Sequence, residues 1–268
     1  MSELSFVKEM MNTILKGTQI PKMQVERAVG PILGLFIDLL LTRTEKCSGN
    51  YKLISPEFPI KKKGSNQSTN MDFLLVDTDK NKLALVELKT DISSFNVSQA
   101  RGYSDLKDRV SRYSATFLQS DLDDIAANSV KKYKYKNLLE LFKSRAPNAE
   151  NIKELIIVYI VPQAIKNKVK DHISETDIVL SFQDLPVSIG GRFSEEWKII
   201  REKLIQLDGS QNVEIEEESR PNYQVTFDFE QAFLNNGTVF NRSGGTFNSK
   251  NLDGKETWEK FKDLVENT

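Results

Sequence analysis

Asp72, Glu87 and Lys89 are the residues of this 268-residue chain whose types and spacing could do chemistry together. Two carboxylates supply hard oxygen ligands that suit Mg²⁺ or Mn²⁺, and Mg²⁺ takes one or two carboxylates while keeping several waters. A lysine beside such an ion would hold or deprotonate an attacking water and stabilise developing negative charge. For these three to meet, the chain between them must double back. The stretch 70–91, NMDFLLVDTDKNKLALVELKTD, is built to do so. Two apolar, β-prone runs, Phe73–Val76 and Leu83–Val86, flank a polar segment rich in turn formers, the pattern of a β-hairpin. The runs are apolar almost throughout, which predicts strands covered on both faces. Antiparallel pairing sets the start of one strand beside the end of the other, so Asp72 is expected next to Glu87 and Lys89. The last two are two residues apart and leave the same face. The competing reading is a solvated strand end carrying a surface Glu–Lys pair of little energetic weight.

An acid, fourteen intervening residues and then acid-x-Lys (Asp72, Glu87-Leu88-Lys89) resembles the signature of the PD-(D/E)xK nuclease superfamily. Gln99-Ala100-Arg101-Gly102-Tyr103 matches the Q-x-x-x-Y element of its RecB-type branch. Gln99 and Tyr103 share a helix face, expected to continue through Leu106, Val110, Tyr113 and Phe117 and to pack on the sheet. The resemblance spans Glu26 to Tyr103 and implies an α/β/α sandwich with a central mixed β-sheet, a restriction-endonuclease-like core. It also implies metal-dependent hydrolysis of phosphodiester bonds in nucleic acid, DNA favoured over RNA, in DNA repair or in restriction and defence. Asp72, Glu87 and the Leu88 carbonyl would hold Mg²⁺ or Mn²⁺. Lys89 would position the water, and Gln99 and Tyr103 would orient Lys89 or a phosphate. The superfamily places an acid on a helix before the hairpin, for which Glu26 is the candidate and Glu45 the rival. The chain departs from the pattern in having Met71 where the superfamily has its proline, and no histidine near Glu26.

Composition sets the outer bounds. One cysteine, Cys47, and one histidine, His172, exclude a disulfide framework, a multi-histidine zinc site and a four-cysteine cluster within the chain. A formal net charge of −1 means that any nucleic-acid site is a local patch. Candidates for that patch are Lys61-Lys62-Lys63 before the hairpin, Arg101, and Lys131 and Lys132 in a run of lysines interleaved with Tyr133 and Tyr135. Each also reads as an ordinary solvated charge. No apolar run reaches membrane-spanning length and no signal-peptide pattern is present, so a cytoplasmic location without a membrane partner is the expectation.

The remaining elements follow from periodicity. Helices are expected over 2–16, with Phe6, Met10 and Ile14 inward, and over 23–44, kinked at or starting from Pro31. Residues 51–60 (YKLISPEFPI) read as a proline-interrupted edge strand. Lys61-Lys62-Lys63 then opens a polar loop, GSNQSTN, that is expected to be mobile. Leu138–Phe142 is amphipathic, Leu155–Val161 a buried strand, 164–170 a short helix, 177–182 a strand and 195–207 a helix with Ser194 as N-cap. These divide the chain into a nuclease-like domain, 1–209, and a C-terminal appendage, 210–268, with a strand at Tyr223–Phe229 and a helix at Lys255–Val265. Two other classes remain: a non-catalytic nucleic-acid-binding or assembly module that depends on a partner chain or a second copy, and an enzyme acting on a small phosphorylated substrate. If Asp72 and Glu87 converge, metal should raise the melting temperature, and Glu87→Gln should abolish that rise while leaving the metal-free protein as stable or more so.

Overall fold

A computed structural model describes residues 3–18, 24–61, 68–91, 94–191, 193–210, 238–240 and 246–248. The chain divides into two compact units, 1–214 and 215–268. The first is an α/β unit with a five-stranded mixed sheet ordered β1-β2-β3-β4-β5. Strands β1 (Tyr51–Lys61), β2 (Ser68–Asp77) and β3 (Lys82–Leu88) run antiparallel in succession. β4 (Glu154–Val161) and β5 (Ile178–Ser181) each lie parallel to the strand before them. β1 is the edge strand that its prolines predict, and its register with β2 shifts between Leu53 and Ser55. Ser68, Thr69 and Asn70 are strand and not loop, because they pair with Lys61, Ile60 and Pro59.

β3 is buried along its whole length, as a central strand with apolar residues on both faces must be. Ala84, Val86 and Leu88 face a core shared with α1 (Glu3–Gly17), α2 (Val25–Gly34), α3 (Ile37–Arg43) and α8 (Ser194–Ser210). Leu83 and Leu85 face a second core built with α4 (Val97–Tyr113), α5 (Thr116–Asn128), α6 (Lys132–Arg145) and α7 (Lys166–Lys170). Helices therefore cover both faces of the sheet. At the turn of the hairpin Asp77 is fully buried, and its Oδ1 accepts from the amides of Asn50 and Asp79 at 3.1 Å each. Asn81 takes φ of 49°, the left-handed region that asparagine tolerates.

Several expectations need correction. In α1 it is Met11 and Ile14 that are buried, while Phe6 is exposed. The helix expected over 23–44 is two helices. Pro31 lies inside α2, and the break falls after Gly34, at Leu35 and Phe36. The face of α4 ends sooner than expected: Leu106 and Val110 are buried, but Tyr113 is 56% exposed. Phe117 belongs to α5, beyond a chain reversal at Ser114 with φ of 61°. Lys62, Lys63, the strand expected at 223–229 and the helix expected at 255–265 lie outside the described residues. In the second unit β6 (Thr238–Phe240) and β7 (Thr246–Asn248) pair antiparallel. Among the described residues no helix is long and apolar enough to cross a membrane.

One helix residue is at odds with its surroundings. Gly30 sits in the interior of α2, and a Cβ added there would meet nothing within 4 Å. Gly34, by contrast, has the Phe73 ring 3.3 Å from its Cβ position. Gly30→Ala is expected to change the unfolding free energy by less than about 1 kcal/mol in a urea titration, because the helix propensity it gains is offset by the crowding of a Cβ against the ring of Pro31, the next residue.

Candidate active site

The register of the hairpin brings the proposed chemical groups together. Phe73 pairs with Val86, so Asp72 on β2 lies at the end of β3 that carries Glu87. Asp72 Oδ2 accepts the Leu88 amide at 2.7 Å, which ties the first carboxylate to the backbone between Glu87 and Lys89. The Lys89 amide donates to the Ile160 carbonyl at 2.8 Å, extending the β3–β4 ladder one residue past the strand. Each of the three residues is thus fixed through backbone and sheet, not through a loop.

Glu87 is the centre of the cluster. It is 2% exposed, and its two oxygens accept from three side chains. Lys89 Nζ and Gln99 Nε2 reach Oε1 at 2.6 and 2.8 Å, and the Tyr103 hydroxyl reaches Oε2 at 2.5 Å. Gln99 Nε2 also lies 2.7 Å from the Tyr103 hydroxyl. Gln99 and Tyr103 therefore grip Glu87 itself, whereas the sequence reading set them on Lys89 or a phosphate. The grip depends on the start of α4, where the Asn96 side chain caps the helix by accepting from the amides of Ser98 and Gln99. Lys89, 6% exposed, has a second anion in Glu26 of α2, whose Oε2 is 3.6 Å from Nζ.

Three carboxylates thus surround one ammonium, and their proton affinities show the imbalance. Burial and the charge of Glu87 push Asp72 up to about 7, against the pull of the Leu88 amide and Lys89. Burial also raises Glu26, with Lys89 opposing. Burial alone would depress Lys89, but Glu87, Glu26 and Asp72 together outweigh it and hold the lysine above its ordinary value. Lys89 is therefore a persistent cation, suited to fixing an anion or a water and not to removing a proton. Tyr103 is raised by burial and by Glu87, so its hydroxyl stays a donor. Burial pushes the Cys47 thiol up to about 12, which removes it as a nucleophile.

The cluster forms the floor of a cleft of about 1090 Å³ walled by α2, β1, β2 and the start of α6. Asp72, Glu87, Lys89, Gln99 and Glu26 all line it. Arg27, Glu57 and Tyr135 also line it and were not among the expected site residues. Arg27, exposed on α2, makes no ion pair with another described residue, and its place one residue from Glu26 was the available signal. Tyr135 was visible in its lysine-rich run, and α6 carries it into the same cleft. The other expected contacts lie elsewhere. Lys61 is paired with Asp124 at 2.7 Å and lines a neighbouring pocket of about 430 Å³ that shares Gln99. Arg101 is exposed on α4, and Lys131 and Lys132 are exposed where α6 begins. Glu45 is likewise exposed, which leaves Glu26 as the acid beside Lys89.

Among the described residues no group of three or more His, Cys, Asp or Glu side chains is placed to hold a metal ion. Comparison with protein-family models, with curated proteins and with solved structures gives no match for this chain. One local consequence of the geometry is directly measurable. Tyr103→Phe removes a donor to a buried carboxylate and is expected to lower the unfolding free energy by about 1.5–3 kcal/mol in urea denaturation.

Proposed function

We propose that this protein is a Mg²⁺- or Mn²⁺-dependent nuclease that hydrolyses phosphodiester bonds, with DNA as its first substrate to test. The observation that carries the reading is the convergence of Asp72, Glu87 and Lys89 on the floor of one cleft, with Gln99 and Tyr103 bonded to Glu87. Surface charges at a strand end would not be 2% and 6% exposed and held by three neutral or cationic donors.

The donor set fits a hard divalent cation. Asp72 has Oδ1 without a described partner, and Glu87 has one of roughly four lone-pair positions left after its three donors. Two carboxylates with the Leu88 carbonyl and water is the usual complement of a Mg²⁺ site, which needs no third acid. The surplus of Glu26, Asp72 and Glu87 over Lys89 is what a divalent charge would offset. A bound ion would polarise the phosphate and activate water. The chain's own residues then act around it. Lys89 holds the water or the developing negative charge, Gln99 and Tyr103 keep Glu87 from turning away, and Arg27 meets a flanking phosphate at the rim.

A second reading has its own support. Three protein donors already satisfy most of Glu87, and among the described residues no three acids are placed so as to hold a metal ion together, as in a binding module that does not cut. Incubation with single- and double-stranded DNA and RNA in Mg²⁺, Mn²⁺, Ca²⁺ or chelator separates the two. Cleavage in Mg²⁺ or Mn²⁺ that chelator abolishes is the expected result. Salt-dependent binding with no cleavage in any ion would establish the binding module instead.

A further inference from the structure

We propose that the pocket of about 430 Å³ beside α4 binds an uncharged guanine-type base, with guanosine as the ligand to test. Its volume lies within the range of single-ligand sites. The helix wall is a stripe of α4, Gln99, Gly102, Leu106 and Arg109, spaced so that all four share one face. Ile60 and Lys61 of β1 and Thr69 of β2 line the pocket as well. Gly102 lies inside a 17-residue helix, where glycine is unfavourable relative to alanine. A Cβ there would meet nothing within 4 Å, and the next residue, Tyr103, sets no proline ring against it. The missing side chain leaves bare helix backbone in the wall, where a flat ring can lie beside the apolar Ile60 and Leu106.

The polar groups of the pocket select its ligand. Arg109 and Lys61 are both pinned from α5: Arg109 Nη2 donates to the two oxygens of Asp121 at 3.1 and 3.0 Å, and Lys61 Nζ to Asp124 at 2.7 Å. The Arg109 guanidinium also lies 4.2 Å from the centre of the Phe117 ring. It is thereby held in place, with Nη1 donating to no described residue. Asp105, four residues earlier in α4, makes no ion pair or hydrogen bond with another described residue. A phosphate would meet Asp105 and the acids that already neutralise both cations, while a simple amine would meet Arg109 and Lys61. An uncharged ring avoids both conflicts. Guanine offers its O6 and N7 as acceptors to Arg109 and its amino group as a donor to Asp105. Gln99 and Tyr103 line this pocket and also hold Glu87, so the bound base lies against the two residues that fix the floor of the neighbouring cleft.

Titration calorimetry on the full chain without metal tests this, with guanosine, uridine and guanosine monophosphate as probes. Wild type is expected to bind guanosine saturably, uridine about tenfold or more weakly, and the monophosphate no more tightly than guanosine. Gly102→Leu fills the pocket and replaces glycine with a better helix former, and Asp105→Ala removes an exposed carboxylate, so both variants are expected to fold. Each should weaken guanosine binding about tenfold or more. No saturable guanosine binding by wild type, equal binding of uridine, or tighter binding of the monophosphate overturns the base pocket. Wild-type affinity in either variant overturns it as well, because the bound guanosine would then lie elsewhere. With no metal present, each of these outcomes leaves the nuclease reading to its own test.

Discussion

Lys89→Ala is expected to cut metal-dependent cleavage by roughly 10²–10⁴-fold and to lower the unfolding free energy by about 3–5 kcal/mol. The two losses have one cause. Lys89 is the cation closest to Glu87, at 2.6 Å, and Glu87 has almost no access to water. Removing the ammonium leaves a buried carboxylate with only neutral donors, and that desolvated charge is the source of the instability. The same ammonium is the group that would fix the attacking water, so rate and stability fall together. Lys89→Arg separates them. It keeps the charge and most of the stability, but a planar fork cannot occupy the point position of the ammonium, and cleavage should stay low. Urea denaturation and initial cleavage rates on the same preparations check both variants, with circular dichroism confirming that each is folded at the assay temperature.

Asp72→Asn has the opposite effect on stability. The folded-state pKa of Asp72 is about 7, above its ordinary 3.8, so the folded protein binds this proton more tightly than the unfolded chain. The contribution is then most favourable below about 4, declines as pH rises from about 4 to 7, and is flat above that. At pH 8 the wild type carries a buried carboxylate that the variant does not, while the side-chain oxygen of the substituted asparagine would still accept the Leu88 amide. Metal-free Asp72→Asn is therefore expected to melt several degrees above wild type at pH 8 and close to it at pH 4. Asp38 and Asp208 are also raised by burial, and their slopes are the same in both proteins and cancel in the difference. Millimolar Mn²⁺ should invert the order at pH 8. Wild type would gain about 2.7 kcal/mol at a hundredfold excess over Kd, and Asp72→Asn little. A wild-type melt that does not move with Mn²⁺ at pH 8 would count against Asp72 as a ligand.

Much of this arrangement was legible because the hairpin is short-range. Asp72, Glu87 and Lys89 sit on adjacent strands whose apolar runs fix the register, and a shift of one residue would turn Glu87 to the other face. Gln99 and Tyr103 follow from helical spacing, but what they touch does not. The partner of a helix face depends on how α4 crosses the sheet, which no local pattern encodes. For that reason the Glu87→Gln expectation reverses. Glu87 is the acceptor for Lys89, Gln99 and Tyr103, so an amide there would place N–H against donors and destabilise the metal-free protein. α5 was missed for a different reason. Its Leu118, Leu122, Ile125 and Ala126 have helical spacing, but Asp121, Asp123 and Asp124 give it a polar look, and Asp121 is spent on Arg109. The break in the helix before the hairpin fell after Gly34 and not at Pro31, which lies inside α2, where a proline removes one backbone hydrogen bond and can bend a helix without ending it.

The central claim, that the cluster around Glu87 cuts phosphodiester bonds, is tested most directly by one comparison. Wild type and Asp72→Asn, purified in parallel, are given an end-labelled single-stranded DNA in Mn²⁺, and the initial cleavage rates are measured. Wild type is expected to cleave, and Asp72→Asn to do so at a rate roughly a hundredfold lower or less, even though that variant is the more stable metal-free protein at the assay pH. Equal rates in the two would assign the activity to a contaminant and contradict the claim.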